Sequence, residues 1–301
     1  MYDQVASNKR RSLALTAAFV LFTTLVVATI LYLFDFGAIG VLIAVIVAVG
    51  SAWGSYWKSD VIALKMSRAI EADRDTYARL HNLVEGLCIA SGLPKPRIYV
   101  IEDAAPNAFA TGRNPKHAAI AVTTGLLEKM NRVELEGVLA HELSHIKNND
   151  ILVSTLAVTM VGIITLVADM SIRMMWWNGG RRGRDDQDGG AAPFLAIFGL
   201  AILLLSPLLS RMMQFAVSRR RESLADVSAI ELTRYPPGLI SALEKLRDDT
   251  TVVHASSRAT AHLWIEQPTA QNESEGRLSK WNRMFDTHPP IEERIAALQE
   301  L

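Results

Sequence analysis

The sequence predicts a mainly helical α+β protein set in a membrane, with two helical hairpins, about four spans, and a small sheet in the part outside the bilayer. Three observations carry this. Half of the 301 residues are hydrophobic and the mean hydropathy is positive, which is high for a water-soluble chain. Four runs carry no charge, Leu13–Phe34, Phe36–Trp57, Ile151–Ala168 and Phe194–Ser210, each near the ~20 residues that cross a bilayer as a helix. Three short β-rich segments, Arg97–Ile101, Asn107–Thr111 and Ala118–Thr123, lie between helical patterns.

Met1 to Ser12 is polar and carries Lys9, Arg10 and Arg11. The first uncharged run follows, and Asp35-Phe36-Gly37 makes a tight turn into the second. Two spans with almost nothing between them form a hairpin, which weakens a reading of the first as a cleavable signal. Trp53, Tyr56 and Trp57 sit where an interfacial aromatic belt is expected, and Lys58, Lys65, Arg68 and Arg74 follow. Both ends of the hairpin are basic and its turn is not, which puts the amino terminus and the segment after Trp57 in the cytoplasm. Asp60 to Ser91 reads as one long amphipathic helix, closed by Gly92 and Pro94. The turn Gly112-Arg-Asn-Pro115 parts the second strand from the third.

Ile151–Ala168 and Phe194–Ser210 are near the lower length limit for spanning and fit either two buried helices or, the favoured reading, a second membrane hairpin around the polar, glycine-rich stretch 178–190. Arg219, Arg220 and Arg221 mark its cytoplasmic flank. Glu222–Leu232 and Pro237–Arg247 read as helices, and a proline pair starts a terminal helix with the apolar stripe Ile291, Ile295 and Leu298. Membrane hairpins at 1–57 and 151–217 thus alternate with two parts of one domain, 58–150 and 218–301. Charge is balanced, 31 basic residues against 31 acidic, so nothing argues for a nucleic-acid partner. Cys88 is the single cysteine, which excludes an internal disulfide; it reads as a small buried hydrophobe.

One stretch carries chemistry. His141-Glu142-Leu143-Ser144-His145 lies in a helix that Asn131 and Glu134 start as a capping pair. Residues four apart on a helix are about 6 Å up the axis and roughly 40° round it, so both imidazoles leave one face. That spacing lets two ring nitrogens bind one metal at about 2.0–2.1 Å, the zinc distance. Glu142 is offset too far to be a ligand but reaches a water beside the metal, where a carboxylate can take a proton and pass it to a leaving amine. The pattern reads as a zinc hydrolase, usually a protease.

A catalytic zinc needs a third protein ligand. His254 and His262 stand alone in polar stretches, where a surface or structural histidine is the better reading. Glu222 is the stronger candidate, since it opens a helix and has Asp226 one turn on along the same face. On residues alone, an ordinary charge beside three arginines has equal standing.

The chain resembles the HtpX-type membrane zinc metalloproteases, related to the endopeptidases that trim prenylated CAAX proteins. The matching blocks are Pro106-Asn-Ala-Phe-Ala-Thr-Gly-Arg113, the helix around His141–His145, Arg221-Glu-Ser-Leu-Ala-Asp226, Ala259-Thr-Ala-His262 and Thr287-His-Pro-Pro290. The resemblance implies a zincin-like cytoplasmic catalytic domain, with Glu222 as third ligand to one zinc ion per chain and Asp226 behind a histidine. It implies that Asn107, Ala108, Phe109 and Ala110 form an edge strand pairing with extended substrate, with Asn107 also bonding near the scissile bond. It further implies that His288 and Arg294 support the oxyanion. Location in the inner membrane, and misfolded or damaged membrane proteins as substrates, follow from the resemblance alone. The rivals are a processing protease with a single membrane or lipidated substrate, and a membrane scaffold without catalysis.

Overall fold

The computed structural model describes residues 2–33, 37–158, 219–251, 263–265 and 290–300. Helices α1 (Tyr2–Leu33) and α2 (Gly37–Met66) form the expected first hairpin. Small residues recur every fourth position on α2, and Gly40, Ala44, Ala48 and Ala52 are buried. Ile39, Leu42, Val45, Ile46 and Val49 on its other faces are exposed. A small-residue stripe lets two helix backbones approach closely while the large apolar side chains face outward, the arrangement suited to lipid. Among the described residues α2 alone is long and apolar enough to cross a membrane; α1 holds a shorter apolar run, Ser12–Leu25.

The long helix expected from Asp60 to Ser91 is two helices. α2 runs unbroken through Trp57 to Met66, the backbone turns at Arg68 (φ 53°), and β1 (Ile70–Glu71) follows before α3 (Ala78–Ser91). Pairing between distant residues overrides helical periodicity here. Ile70 and Glu71 pair antiparallel with Val100 and Tyr99, and Ala72 donates to the Ile98 carbonyl. Asp73 then accepts from the Thr76 N–H and hydroxyl, closing a local turn. Gly92 ends α3 at φ 70°, as expected of a C-terminal glycine.

β2 (Arg97–Ile101), β3 (Ala108–Gly112) and β4 (Ala118–Thr123) complete a four-stranded sheet in the order β1-β2-β4-β3. β4 runs parallel to β2 and antiparallel to β3. Its side chains alternate as a strand requires: Ala118, Ile120 and Val122 join the core under α3 and α5 (Arg132–Lys147), while Ala119 and Ala121 join a second cluster with Ala63 and Leu64 of α2. Both faces are therefore covered. Gly112, at the end of β3, has φ 139°, and a Cβ there would lie 2.4 Å from the His117 carbonyl oxygen, so only glycine fits.

α4 (Thr124–Lys129) leads into α5, which begins with the predicted capping box: the Asn131 side chain accepts from the Val133 and Glu134 N–H groups, and Glu134 accepts from the Asn131 N–H. Asn149 (φ 56°) ends that run, and a helix, α6, is described over 150–158. Its Val153, Leu156 and Ala157 pack with Leu15, Phe19 and Ala52 of the hairpin. α7 (Arg219–Thr233), α8 (Pro236–Asp248) and α9 (Ile291–Gln299) close the core over α5. Gly137 is where α5 meets α8 most tightly, since a Cβ there would be 2.9 Å from Leu239 Cα. The rest of the second hairpin, stretch 178–190, His254, His262 and His288 lie outside the described residues.

Candidate metal centre

α5 is buried along most of its length, and His141, Glu142, Ser144 and His145 lie in its second half. His141 Nε2 and His145 Nε2 face each other at 3.1 Å. α7 brings Glu222 to them, with its carboxylate oxygens 3.6 Å from His141 Nε2 and 3.7 Å from His145 Nε2. One donor atom from each of the three lies within 4.8 Å of the others. Ligands bonded tetrahedrally at 2.0–2.1 Å stand about 3.3 Å apart. The three observed separations bracket that value, so two imidazoles and a carboxylate fit a zinc ion in both type and spacing.

Each imidazole has its other nitrogen on a carboxylate. His141 Nδ1 is 2.9 Å from Asp226, and His145 Nδ1 is 3.2 Å from Asp150. This holds the ring proton on Nδ1 and turns the Nε2 lone pair inward, and it raises the donor strength of the ring. Arginines stand behind both acids. Arg294 grips Asp226 with two bonds, Nε at 2.9 Å and Nη2 at 2.7 Å, and Arg221 Nη1 lies 4.0 Å from Asp150.

The electrostatics follow from this layout. Burial disfavours charge on His141, but Asp226 and Glu222 outweigh it and raise its pKa to about 9. His145 is raised as well, with Glu222 and Asp150 overcoming burial. Carboxylates that favour a proton on these rings also favour a divalent cation between them. Asp226 is pushed up by burial, yet Arg294 and His141 hold it well below the usual carboxylate range. Glu142 is 2% exposed, and burial lifts its carboxyl above the ordinary range against the pull of the histidines and the Ala110 N–H, which donates to it. A carboxylate so placed is a better proton acceptor than one in water.

Of the residues singled out in the sequence, His141, Glu142, His145, Glu222 and Asp226 come together. Arg294 is differently placed from the expectation. It lies behind His141, on the Nδ1 side, where its Nη1 donates to the Ile265 carbonyl (3.2 Å) and its other donors hold Asp226. A guanidinium so engaged acts on the metal centre through Asp226 and His141.

β3 is an edge strand, as expected, and Ala108 to Gly112 are all buried. Its outer edge already has partners. Alternation along an antiparallel strand turns the main-chain groups of Ala108, Ala110 and Gly112 away from β4. Ala108 O accepts from the Ile265 N–H, Ala110 N–H bonds Glu142, and Gly112 N–H donates to Thr155 Oγ1. Trp264 beside Ile265 packs edge-on against Phe109 at 4.9 Å. Asn107 is buried and braces the start of the strand, its Oδ1 accepting from the Ala108 N–H.

Asp150 is the residue that sequence reasoning missed. It lies past the end of α5, and the left-handed turn at Asn149 brings it back to His145. A carboxylate a few residues after a metal-binding helix was the available signal.

Residues 74–301 match the family model described as peptidase family M48. The chain is 42% identical over 301 residues to a protein named Protease HtpX homolog from Thermoanaerobacter pseudethanolicus, covering 100% of this chain and 98% of that one. It is 41% identical over 304 residues to the protein of the same name from Ligilactobacillus salivarius, covering 100% of each. Among solved structures, the crystal structure of S. mikatae Ste24p resembles it in fold, with a TM-score of 0.50 and 20% identity over 99% of this chain and 67% of that one.

Proposed function

The chain belongs to peptidase family M48, as a membrane-associated metalloprotease of the HtpX type, and on that premise we propose that it is a zinc-dependent endopeptidase of the inner membrane. The observation that carries this is the convergence of His141, His145 and Glu222, with each imidazole backed by a carboxylate. These three residues would hold one zinc ion per chain, and when bound it supplies Lewis-acid polarisation of the scissile carbonyl and lowers the pKa of a nearby water.

The chain supplies the rest. Glu142 takes the proton from the attacking water and delivers it to the leaving amine. The Ala110 backbone lies beside that carboxylate, so the general base stands next to the strand that takes the substrate. Asp226 and Asp150 keep the imidazoles oriented, and Arg294 is a positioning residue locking Asp226. His288 is the donor to the oxyanion. Extended substrate lies along the outer edge of β3, Asn107 to Ala110, once Ile265 has moved off Ala108; main-chain pairing there suits broad specificity.

The proposed topology has four spans. Hairpins 1–57 and 151–217 are in the bilayer, and parts 58–150 and 218–301 form the catalytic domain on the cytoplasmic side. The substrates are misfolded or damaged membrane proteins, in keeping with protein quality control. The test is cleavage of an unfolded polypeptide by the full-length protein in detergent, stripped of metal and then given zinc, beside Glu142→Gln. Cleavage that returns with zinc and is absent in the variant supports the reading. Full zinc binding without cleavage of any unfolded substrate overturns it in favour of a scaffold.

A further inference from the structure

The membrane helices and the metal centre meet at one end of β3. α2 carries no charge from Gly37 to Trp57, a stretch of ~31 Å at the helical rise, which matches the hydrocarbon thickness of a bilayer. Trp53 and Trp57, 67% and 43% exposed, close that stretch together with Tyr56 as an interfacial belt. At this level α2 touches the catalytic domain. The Arg113 guanidinium lies 4.6 Å from the centre of the Trp57 ring, and its Nη1 donates to the Trp57 carbonyl at 3.4 Å. Arg113 directly follows β3.

α6 pins the same end. Thr155 Oγ1 is 3.0 Å from the Thr111 hydroxyl and accepts from the Gly112 N–H at 3.2 Å. Asp150, where α6 begins, holds the metal-ligand candidate His145. The hairpin helix α2 and the helix α6 packed on that hairpin therefore reach the two halves of the site, α2 through β3 and α6 through His145.

These anchors set a height. From Ala110, whose N–H holds Glu142, to Arg113 beside Trp57 is ~10 Å at the strand rise. From Trp57 up α2 to Ala63, which shares a packed cluster with Phe109, is ~9 Å at the helical rise. Phe109 is one residue beyond Ala110, ~13 Å from Arg113 along the strand, so the two elements put this part of β3 on the order of 10 Å beyond Trp57.

We infer that the site cuts at a short, fixed distance from the bilayer surface, so that its substrate class is the juxtamembrane segment of a membrane-anchored polypeptide. α6 covers the Gly112 end of β3, so a chain leaving the bilayer beside Trp57 passes that end and joins the strand edge at Asn107 to Ala110, beside Glu142. At about 3.3–3.6 Å per extended residue, that height places the scissile bond about three residues beyond the end of the substrate's own span. This rests on the endopeptidase reading of the same site.

The test uses the full-length protein with zinc in liposomes, together with a single-span substrate bearing an unstructured tail. A second substrate has a glycine-serine insert directly after the span, and a third is the soluble tail alone. Cut positions are mapped by mass spectrometry. The inference predicts cuts at one distance from the span in both anchored substrates, so that in the second the cut falls within the insert. Cuts that follow the tail sequence, or spread along it, overturn the inference while cleavage of the soluble tail keeps the endopeptidase reading. No cleavage of any of the three overturns both.

Discussion

Asp226→Ala separates the scaffold of the site from its chemistry. Asp226 is 3% exposed and makes three charge-assisted bonds, one to His141 at 2.9 Å and two to Arg294 at 2.9 and 2.7 Å. Removing it leaves Arg294 buried with the Ile265 carbonyl as its one oxygen partner among the described residues. Breaking a buried pair by deleting one partner costs about 3–5 kcal/mol, because the other charge stays uncompensated. A lost carboxylate behind a ligand histidine lowers metal affinity about 10- to 100-fold, or about 1.4–2.8 kcal/mol. The first effect is read by unfolding the metal-free protein in detergent, the second by zinc titration against a competing chelator. Asp226→Asn should recover part of the stability and little of the zinc affinity. Because Asp226 is held below the ordinary carboxylate range, its contribution is complete above pH ~4 and is lost only as pH falls through its lowered folded value. An alanine variant with stability within about 0.5 kcal/mol of the parent and unchanged zinc affinity would refute the reasoning.

Glu142→Gln should keep one zinc per chain and lose about 10²- to 10⁴-fold in turnover, measured on an unfolded substrate; loss of the metal instead would make Glu142 structural. Asp150→Ala should weaken zinc binding about 10- to 100-fold in the same chelator titration, since it backs His145 as Asp226 backs His141. Glu134→Gln tests the start of α5. Burial pushes Glu134 up, but Lys245, the Asn131 N–H and Ser241 hold it below its reference value of 4.5. Its stabilisation is present above that value and fades as pH falls through the lower folded one, so the melting difference from the parent should be clear at pH ~7 and shrink steadily in acid. A difference that persists in acid would contradict this.

The parts of the site that were legible in the sequence were local. The spacing of His141, Glu142 and His145 and the Asn131–Glu134 box each depend on one helix, whose geometry is constant. Asp226 falls one helical turn after Glu222 and follows the same rule. Where the reading fell short, distant chain decides. Residues 67–77 have a helical pattern, but β1 pairs with β2 and interrupts it. Asp150 reaches His145 through a left-handed turn that no periodicity announces. Arg294 reads as a cation near the metal, and its direction is set by a buried acid 68 positions earlier in the chain. The cover on β3 comes from Ile265, a residue in a stretch with no pattern of its own.

The central claim is that His141, His145 and Glu222 together hold one zinc ion. X-ray absorption at the zinc edge on the full-length protein, with metal content measured alongside, tests it most directly. The account predicts one zinc per chain with two imidazole nitrogens and carboxylate oxygen at about 2.0–2.2 Å, and a sharp fall in occupancy for Glu222→Ala. Unchanged occupancy and spectrum in that variant, or a shell with fewer than two imidazoles in the parent, would contradict it.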